Sequence, residues 1–158
     1  MRMPCGISER FLHKNCAGNA DNRYRGKREY TKASFSVRQI GELIAFCKGI
    51  KPDVKIMVDN CYGEFVETLE PTQVGADLVV GSLIKNPGGG LAPTGGYIAG
   101  RSDLVQGAAQ RLTTPGIGAE CGCSLGQNRA LYQGLFLAPH TVAQAVKGSS
   151  GISGLFVL

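Results

Sequence analysis

Two short stretches indicate the fold of this chain: VKIMVD at residues 54–59 and ADLVVGSLIK at residues 76–85. Each opens with aliphatic side chains that favour β-strands, at Val54–Val58 and at Ala76–Val80. Each closes in polar or small residues. The segment between them is long enough for a crossover that contains some helix, so we expect parallel neighbouring strands of an α/β sheet.

A helix is predicted immediately before the first strand. Ser36 and Gln39 fit a capping box, in which each side chain satisfies a backbone N–H group of the first turn. Apolar residues then recur at helical spacing over residues 37–47, and Gly49 and Pro52 close the helix.

Downstream of the second strand, the pattern predicts a loop, a strand and two helices. They are a glycine-rich loop at 86–96, a very short strand Tyr97–Gly100, a helix capped by Ser102 and ending at Leu112, and a helical stretch Leu125–Leu137 that Pro139 interrupts before it resumes through Val146. Residues 1–33 show no periodicity, so no element is predicted there.

The composition suits one globular domain, since 43% of the 158 residues are hydrophobic and 18% are charged. The net charge of +5 is concentrated near the start of the chain, where aromatic residues are few. A solvated basic segment is therefore favoured over a nucleic-acid site. The basic residues concerned are Arg23, Arg25, Lys27, Arg28 and Lys32.

Several classes of protein are disfavoured. No apolar run is long enough to span a bilayer, and no secretory signal precedes the six cysteines. Reduced thiols in a cytoplasmic protein without a membrane partner are therefore expected. His13 and His140 have no spaced partners, so no metal site is predicted.

Polar side chains follow both predicted strands. Ligands of open α/β sheets bind beyond the carboxyl ends of the strands, so Asp59 and Lys85 are expected to face one crevice. A lysine there could form an imine, while a carboxylate could keep a pyridine nitrogen protonated. Ser82 could donate to a phosphate, and Tyr62 to a phenolate oxygen. Each residue alone has an ordinary structural explanation, such as a turn cap, so the prediction depends on their combination.

Longer stretches around these residues resemble a known family. They are DNCYGEFVE at 59–67, GSLIKNPGGGLAPTGGYIAG at 81–100, LTTPGIG at 112–118 and LYQGLFLAPH at 131–140. Over residues 34–148 the chain is similar to the aluminium-resistance or methionine gamma-lyase-like family. That family has the aspartate-aminotransferase-type fold, fold type I, of enzymes that depend on pyridoxal phosphate.

The resemblance implies a role for each candidate residue. Lys85 would bond covalently to pyridoxal 5'-phosphate, and Asp59 would pair with its pyridine nitrogen. Ser82 matches the S-x-x-K serine that contacts the phosphate, and Tyr62 matches the D-x-x-Y tyrosine that contacts the phenolic oxygen. The implied activity is that of a carbon–sulfur lyase acting on a sulfur amino acid, with β- or γ-elimination left open. A homo-oligomer is expected for the full-length enzyme.

The chain also departs from the family pattern, outside residues 34–148. It has no counterpart of the upstream phosphate-binding turn, the aromatic residue that stacks on the ring, or the C-terminal domain that supplies a substrate-binding arginine. We therefore expect an incomplete large domain, 34–148, preceded by a basic segment 1–33 and followed by an unassigned tail 149–158.

Two alternatives remain at this point. The chain could be a non-catalytic fragment that kept the fold core and serves as a binding or metal-tolerance protein. It could instead be a serine acyl-transfer enzyme with Ser82 as nucleophile and Lys85 as base, but the S-D-N and K-T-G elements of such enzymes are missing from the sequence.

Overall fold

The protein contains a four-stranded mixed sheet flanked by helices. The computed structural model describes the backbone of residues 10–13, 34–112 and 114–155, and the side chains of residues 34–112 and 114–150. The strands lie in the order of the sequence: β1 (Arg10–His13), β2 (Ile56–Asp59), β3 (Leu78–Ser82) and β4 (Gly96–Gly100). The β1–β2 and β2–β3 pairs are parallel, and β4 is antiparallel to β3. The predicted α/β class and the parallel pairing of the first two predicted strands are confirmed.

The register divides the sheet into two faces. Val58 pairs with Val79, and Gly81 pairs with Tyr97. Because successive strand residues point to opposite sides, these four share one face, which we call the core face. The opposite face, which we call the site face, carries Asp59, Val80 and Ser82.

Helix α1 (Val37–Ile50) covers the core face. The capping box of Ser36 and Gln39 is present, as predicted, and the helix ends three residues beyond the predicted apolar run. Its buried Ile40 and Ile44 pack into one apolar cluster with Val54, Ile56, Val58, Ala76 and Val79. Burying such side chains stabilises a fold by about 1.5–3 kcal/mol each, so this cluster is the principal source of stability around the sheet.

A buried carboxylate joins the elements at the amino-terminal end of β3. Asp77 Oδ2 accepts the N–H of Ile56 at 3.0 Å and lies 3.1 Å from Lys48 Nζ. Asp77 Oδ1 lies 3.3 Å from Arg101 Nη1. Burial alone would raise the pKa of Asp77, but the hydrogen bonds from Ile56 and the two cations outweigh it, so the pKa lies below its ordinary value.

The helices after the sheet differ in part from the prediction. Helix α2 (Ser102–Leu112) has the predicted bounds, but Ser102 is its first residue and not its cap; the carbonyl of Arg101 accepts the first helical bonds. Helix α3 (Asn128–Leu155) begins later than predicted and continues through Pro139.

The predicted interruption at Pro139 is therefore wrong. Proline removes one backbone donor and disfavours a helix interior. However, α3 packs tightly on the short 3-10 helix Asn86–Gly88 in the segment expected to be a loop, and this contact includes the fully buried Ala138. Ala138 before the proline and Val142 after it are both buried, so tertiary packing on both sides accounts for the continuous helix.

Two further differences concern strands. β2 begins at Ile56 and β3 extends to Ser82, so both are displaced by about two residues from the predicted strands. β1 lies in the segment for which no element was predicted. It is part of the sheet through its parallel pairing with β2, which its own sequence pattern does not indicate. None of the helices in the described ranges combines the length and hydropathy needed to cross a bilayer.

Candidate functional site

The four residues singled out in the sequence lie at the carboxyl ends of β2 and β3. Asp59 is the last residue of β2, and Ser82 is the last residue of β3. Both belong to the site face. Tyr62 follows in the turn after β2, and Lys85 immediately precedes the 3-10 helix that begins at Asn86.

The turn after β2 has an uncommon backbone. Asp59 Oδ1 accepts the N–H of Cys61 at 3.1 Å, and Asn60 N–H donates to Val80 O at 2.9 Å. Tyr62 then adopts φ 66°, in the left-handed region that residues other than glycine rarely enter. Such conformations cost roughly 1–3 kcal/mol and cluster at functional sites. The turn therefore holds Tyr62 in a position that local preference alone would not select.

Lys85 and Tyr62 are in direct contact. The Lys85 Nζ atom lies 4.2 Å from the centroid of the Tyr62 ring, within cation–π range. Tyr62 is 47% exposed, so part of the residue remains accessible to a ligand. The backbone N–H of Lys85 donates to Ser82 O at 3.2 Å, which ties the lysine to the end of β3.

The hydroxyl of Ser82 makes only long, weak hydrogen bonds. Its Oγ accepts from Ile84 N–H at 3.4 Å and donates to Gly95 O at 3.5 Å. Both distances are at the long end for hydrogen bonds. The hydroxyl can therefore reorient toward a stronger acceptor, such as a phosphate oxygen.

Cys61 is close to three of these groups, Asp59, Ser82 and Lys85. Burial and its hydrogen bond with Asp59 raise the pKa of the Cys61 thiol, while a backbone bond with Ser82 and the charge of Lys85 act in the opposite direction. One thiol thus contacts Asp59 and Ser82 and lies within electrostatic range of Lys85. The structure therefore brings Asp59, Ser82 and Lys85 together around Cys61, with Tyr62 against the lysine.

This arrangement supplies a defined set of chemical groups. An amine, a carboxylate and two hydroxyls, from Lys85, Asp59, Ser82 and Tyr62, meet at one edge of the sheet. Such a set can anchor a polar aromatic molecule at several points and can move a proton through the amine.

The family to which the chain belongs follows from comparison with known proteins. The family described as methionine gamma-lyase matches residues 22–157, a longer segment than the 34–148 resemblance. The chain belongs to the methionine gamma-lyase family. Two curated relatives of this family member are uncharacterized. YnbB of Bacillus subtilis (strain 168) is 54% identical over 125 residues, covering 79% of this chain and 30% of YnbB. A 33.9 kDa protein of Lactobacillus delbrueckii subsp. bulgaricus is 54% identical over 118 residues, covering 75% of this chain and 39% of that protein.

Solved structures give the same picture. A Listeria innocua protein provisionally named a cystathionine beta-lyase involved in aluminum resistance has a TM-score of 0.76 and 54% identity, covering 87% of this chain and 31% of that one. A carbon–sulfur lyase involved in aluminum resistance from Clostridium novyi NT has a TM-score of 0.74 and 46% identity, covering 87% of this chain and 30% of that one. This family member therefore spans between 30% and 39% of the length of these relatives.

Sequence reasoning missed a second layer of polar residues behind the site. Asn60 is fully buried, and its Nδ2 donates to Glu70 Oε2 at 2.9 Å. Glu64 is 4% exposed, and its Oε1 accepts the Tyr97 hydroxyl at 2.7 Å. Asn86 Nδ2 donates to the Glu64 carbonyl at 2.9 Å, so the residue after Lys85 is bonded to the turn after β2.

This layer raises the pKa values of two of its residues, Glu64 and Tyr97. Burial is the main reason that the pKa of Glu64 is raised, although the Tyr97 hydrogen bond acts against it. Burial and the Glu64 bond likewise raise the pKa of Tyr97 above its ordinary value. The adjacency of Glu64 to the D-x-x-Y stretch was the available sequence signal, but its partner is 33 residues away along the chain.

The segment after Lys85 is held by helix α3. Gly88 and Gly89 lie against Gly134, and a Cβ atom on Gly134 would meet the carbonyl oxygen of Gly88. Gly89 also has φ 56°, which glycine adopts without strain. The absence of side chains at these positions allows the helix to approach the backbone and to fix the segment that carries Lys85.

Proposed function

We propose that this chain is the cofactor-anchoring part of a pyridoxal-phosphate-dependent carbon–sulfur lyase that acts on a sulfur amino acid. Lys85 would attach the cofactor, and Asp59 would pair with its pyridine nitrogen. Ser82 would contact its phosphate, and Tyr62 its phenolic oxygen. One observation carries the proposal: Lys85 Nζ lies 4.2 Å from the Tyr62 ring centroid, beside the strand ends that carry Asp59 and Ser82.

The residues present suit this cofactor chemically. A pyridine nitrogen needs an acidic partner, an aldehyde needs an amine, and the phosphate and phenolate oxygens need donors. The loosely bonded Ser82 hydroxyl and the half-exposed Tyr62 are suitable donors. When bound, pyridoxal phosphate withdraws electrons from the substrate α-carbon, which makes a carbon–sulfur bond easier to break.

The chain's own residues would then perform three tasks. Lys85 would hold the cofactor covalently and, once exchanged for the substrate amine, move the proton at the substrate α-carbon. Asp59 would keep the ring nitrogen protonated, since a nearby carboxylate favours a cationic partner. Tyr62 would orient Lys85 through their direct contact.

The remainder of the pocket would come from outside this chain. The relatives are roughly three times as long as the segment that this chain matches. The substrate-binding arginine and the main phosphate-binding turn would belong to that additional length or to a second subunit. Homo-oligomer formation by the full-length enzyme is part of the same proposal, as is a cytoplasmic location.

Binding of the cofactor to Lys85 can be measured directly. The purified chain, titrated with pyridoxal phosphate, should develop a visible absorption band, and borohydride reduction should fix the cofactor mass on the peptide that contains Lys85. Lys85→Ala should lose both signals. Lys147→Ala removes a lysine from the exposed part of α3 and should retain them.

The measurement also tests the alternative that the chain is a non-catalytic fragment serving as a binding or metal-tolerance protein. A folded chain that stays colourless at saturating pyridoxal phosphate, or a label found equally on other lysines, would reject the enzyme proposal and support the alternative.

A further inference from the structure

Strand β4 forms one edge of the sheet, with β3 on its inner side. Residues of antiparallel strands alternate between pairs that exchange backbone hydrogen bonds and pairs that do not. At one end of this ladder, Leu83 N–H donates to Gly95 O at 2.9 Å. At the other end, Arg101 N–H donates to Asp77 O at 3.0 Å. Both ends give the same alternation, so the odd-numbered residues of β4 bond to β3.

The even-numbered residues of β4 therefore direct their backbone N–H and C=O groups outward. They are Gly96, Ile98 and Gly100. None of the backbone hydrogen bonds within the described ranges joins these groups to another segment. The strand contains no proline and no charged residue, and its register with β3 runs without a bulge, so three features that commonly protect an open edge are missing. Such an edge can accept a further strand.

The sequence of β4, Gly-Tyr-Ile-Ala-Gly, is suited to antiparallel pairing with itself. When Ile98 lies opposite Ile98 of a second copy, Gly96 of each copy falls opposite Gly100 of the other. These are the outward-facing residues, so each pair can exchange two hydrogen bonds. A two-fold axis then relates the copies, and two-fold dimers are the commonest assemblies of soluble proteins.

The side chains of the two strands also fit together. On the core face, Tyr97 of each copy falls opposite Ala99 of the other, so a large side chain meets a small, exposed one. The Tyr97 hydroxyl already donates to Glu64 Oε1 at 2.7 Å, which fixes the orientation of the ring. On the site face, Ile98 meets Ile98 of the second copy without a competing side chain, because its neighbours on that face are glycines.

The surroundings of β4 do not oppose this pairing. Arg101, the first charged residue after the strand, lies 3.3 Å from Asp77 and 2.8 Å from Asp103, so its charge is compensated. Phe65 and Leu135 line an apolar cavity together with side chains of β4, and they are 36% and 45% exposed. They extend the apolar surface on the core side of the strand, part of which a second copy would cover.

We propose that the outer edge of β4 is a surface through which two copies of this chain associate, by antiparallel pairing of their β4 strands about Ile98. The four strands of each copy then form one continuous sheet. The interface is small, so the association is weak and depends on concentration. It is independent of the proposed cofactor site, and the test omits pyridoxal phosphate.

Sedimentation velocity measures the association of the purified chain, which should be in monomer–dimer equilibrium between about 1 µM and about 1 mM. Ile98→Lys places like charges opposite each other across the two-fold axis, so it should raise the Kd of the dimer at least about ten-fold, and Ile98→Glu should do the same. An equimolar mixture of the two variants should restore association, because the opposed charges then attract. Gln144→Lys adds a positive charge at an exposed position of α3 and should leave the Kd unchanged.

Hydrogen exchange of the unmodified chain gives a second measurement that needs no variant. The Ala99 N–H bonds to β3, so it should be protected at every concentration. The Ile98 N–H points outward and should gain protection only at concentrations at which the dimer forms. The adjacent amide is therefore an internal control for folding.

The proposal is overturned if the chain stays monomeric throughout the concentration range. It is also overturned if folded Ile98→Lys associates as the unmodified chain does, or if the mixture of folded variants fails to associate. Should the variants not fold, the concentration dependence of Ile98 exchange decides. Protection of the Ile98 N–H in the monomer would mean that another segment of the same chain covers the edge, and it rejects the proposal equally.

Discussion

The two faces of the sheet differ in burial and in the kind of residue they carry. On the core face, Ile56, Val58 and Val79 are almost wholly buried under α1, with exposures of 1%, 0% and 4%. At the carboxyl edge, on the site face, Asp59 and Ser82 are only partly buried, and the adjoining Tyr62 is held in the left-handed region. The comparison teaches that stability is concentrated on one face, which allows an unfavourable backbone and polar side chains to persist at the edge of the other.

The strongest test of this division is a cavity in the core. Ile56→Ala should lower the free energy of unfolding by about 2–5 kcal/mol, because it removes buried methylene groups without a replacement. Urea denaturation followed by circular dichroism measures the loss. Lys55→Ala, at the neighbouring exposed position, should change it by less than about 0.5 kcal/mol. Equal losses in both variants would contradict the assignment of stability to the core face.

A smaller effect is expected where α3 supports the Lys85 segment. Gly134→Ala places a Cβ atom against the backbone carbonyl of Gly88, so the helix or the segment must shift. We expect a loss of roughly 1–3 kcal/mol, as for other overpacked positions. The exposed Gly148 has no such neighbour, and Gly148→Ala in the same helix should be neutral or stabilising.

The same pair of variants tests the connection between packing and chemistry. Because Gly88 lies only three residues after Lys85, Gly134→Ala should also weaken pyridoxal-phosphate binding measured by absorbance, whereas Gly148→Ala should not. Retention of full cofactor affinity by Gly134→Ala would show that the helix contact does not position the lysine.

An intermediate effect is expected from the charge at the far end of β3. The pKa of Asp77 is lowered in the folded protein, so its contribution to stability is present above the unfolded-state pKa of about 3.9 and is lost as the pH falls through the folded value. Asp77→Asn should cost about 1–2 kcal/mol at neutral pH and should flatten the acid limb of the stability profile. Urea midpoints of both proteins, measured from pH 7 into the acid range, test this prediction. If the acid limb is the same in Asp77→Asn as in the wild type, Asp77 does not have this role.

The smallest change in stability is predicted at the site itself. Tyr62→Gly should leave the free energy of unfolding unchanged or raise it by up to about 1 kcal/mol, because glycine adopts φ 66° without steric cost. The same variant should reduce cofactor affinity, since it removes the ring that contacts Lys85. A clear loss of stability would mean that Tyr62 stabilises the fold, rather than serving mainly to contact Lys85.

Much of the local structure was predictable because it depends on short-range chemistry. The capping box at Ser36 and Gln39 forms within four residues, and the apolar run before Asp59 makes a strand whose end is marked by its polar neighbours. The strand ends in turn placed Asp59 and Lys85 at one edge. The short strand β1 and the exact strand limits were missed, since they depend on pairing between distant segments.

The amino-acid sequence by itself determined the α/β class and the position of the candidate residues along the chain, because periodicity, capping and motif spacing are local properties. Its resemblance to known sequences indicated the family. Only the tertiary structure decided that Cys61 lies among Asp59, Ser82 and Lys85, that Glu64 pairs with Tyr97, and that α3 continues through Pro139. The physical reason is common to all three: each depends on contacts between segments far apart in the chain, whose energies outweigh local preference only after the sheet and its helices have packed together.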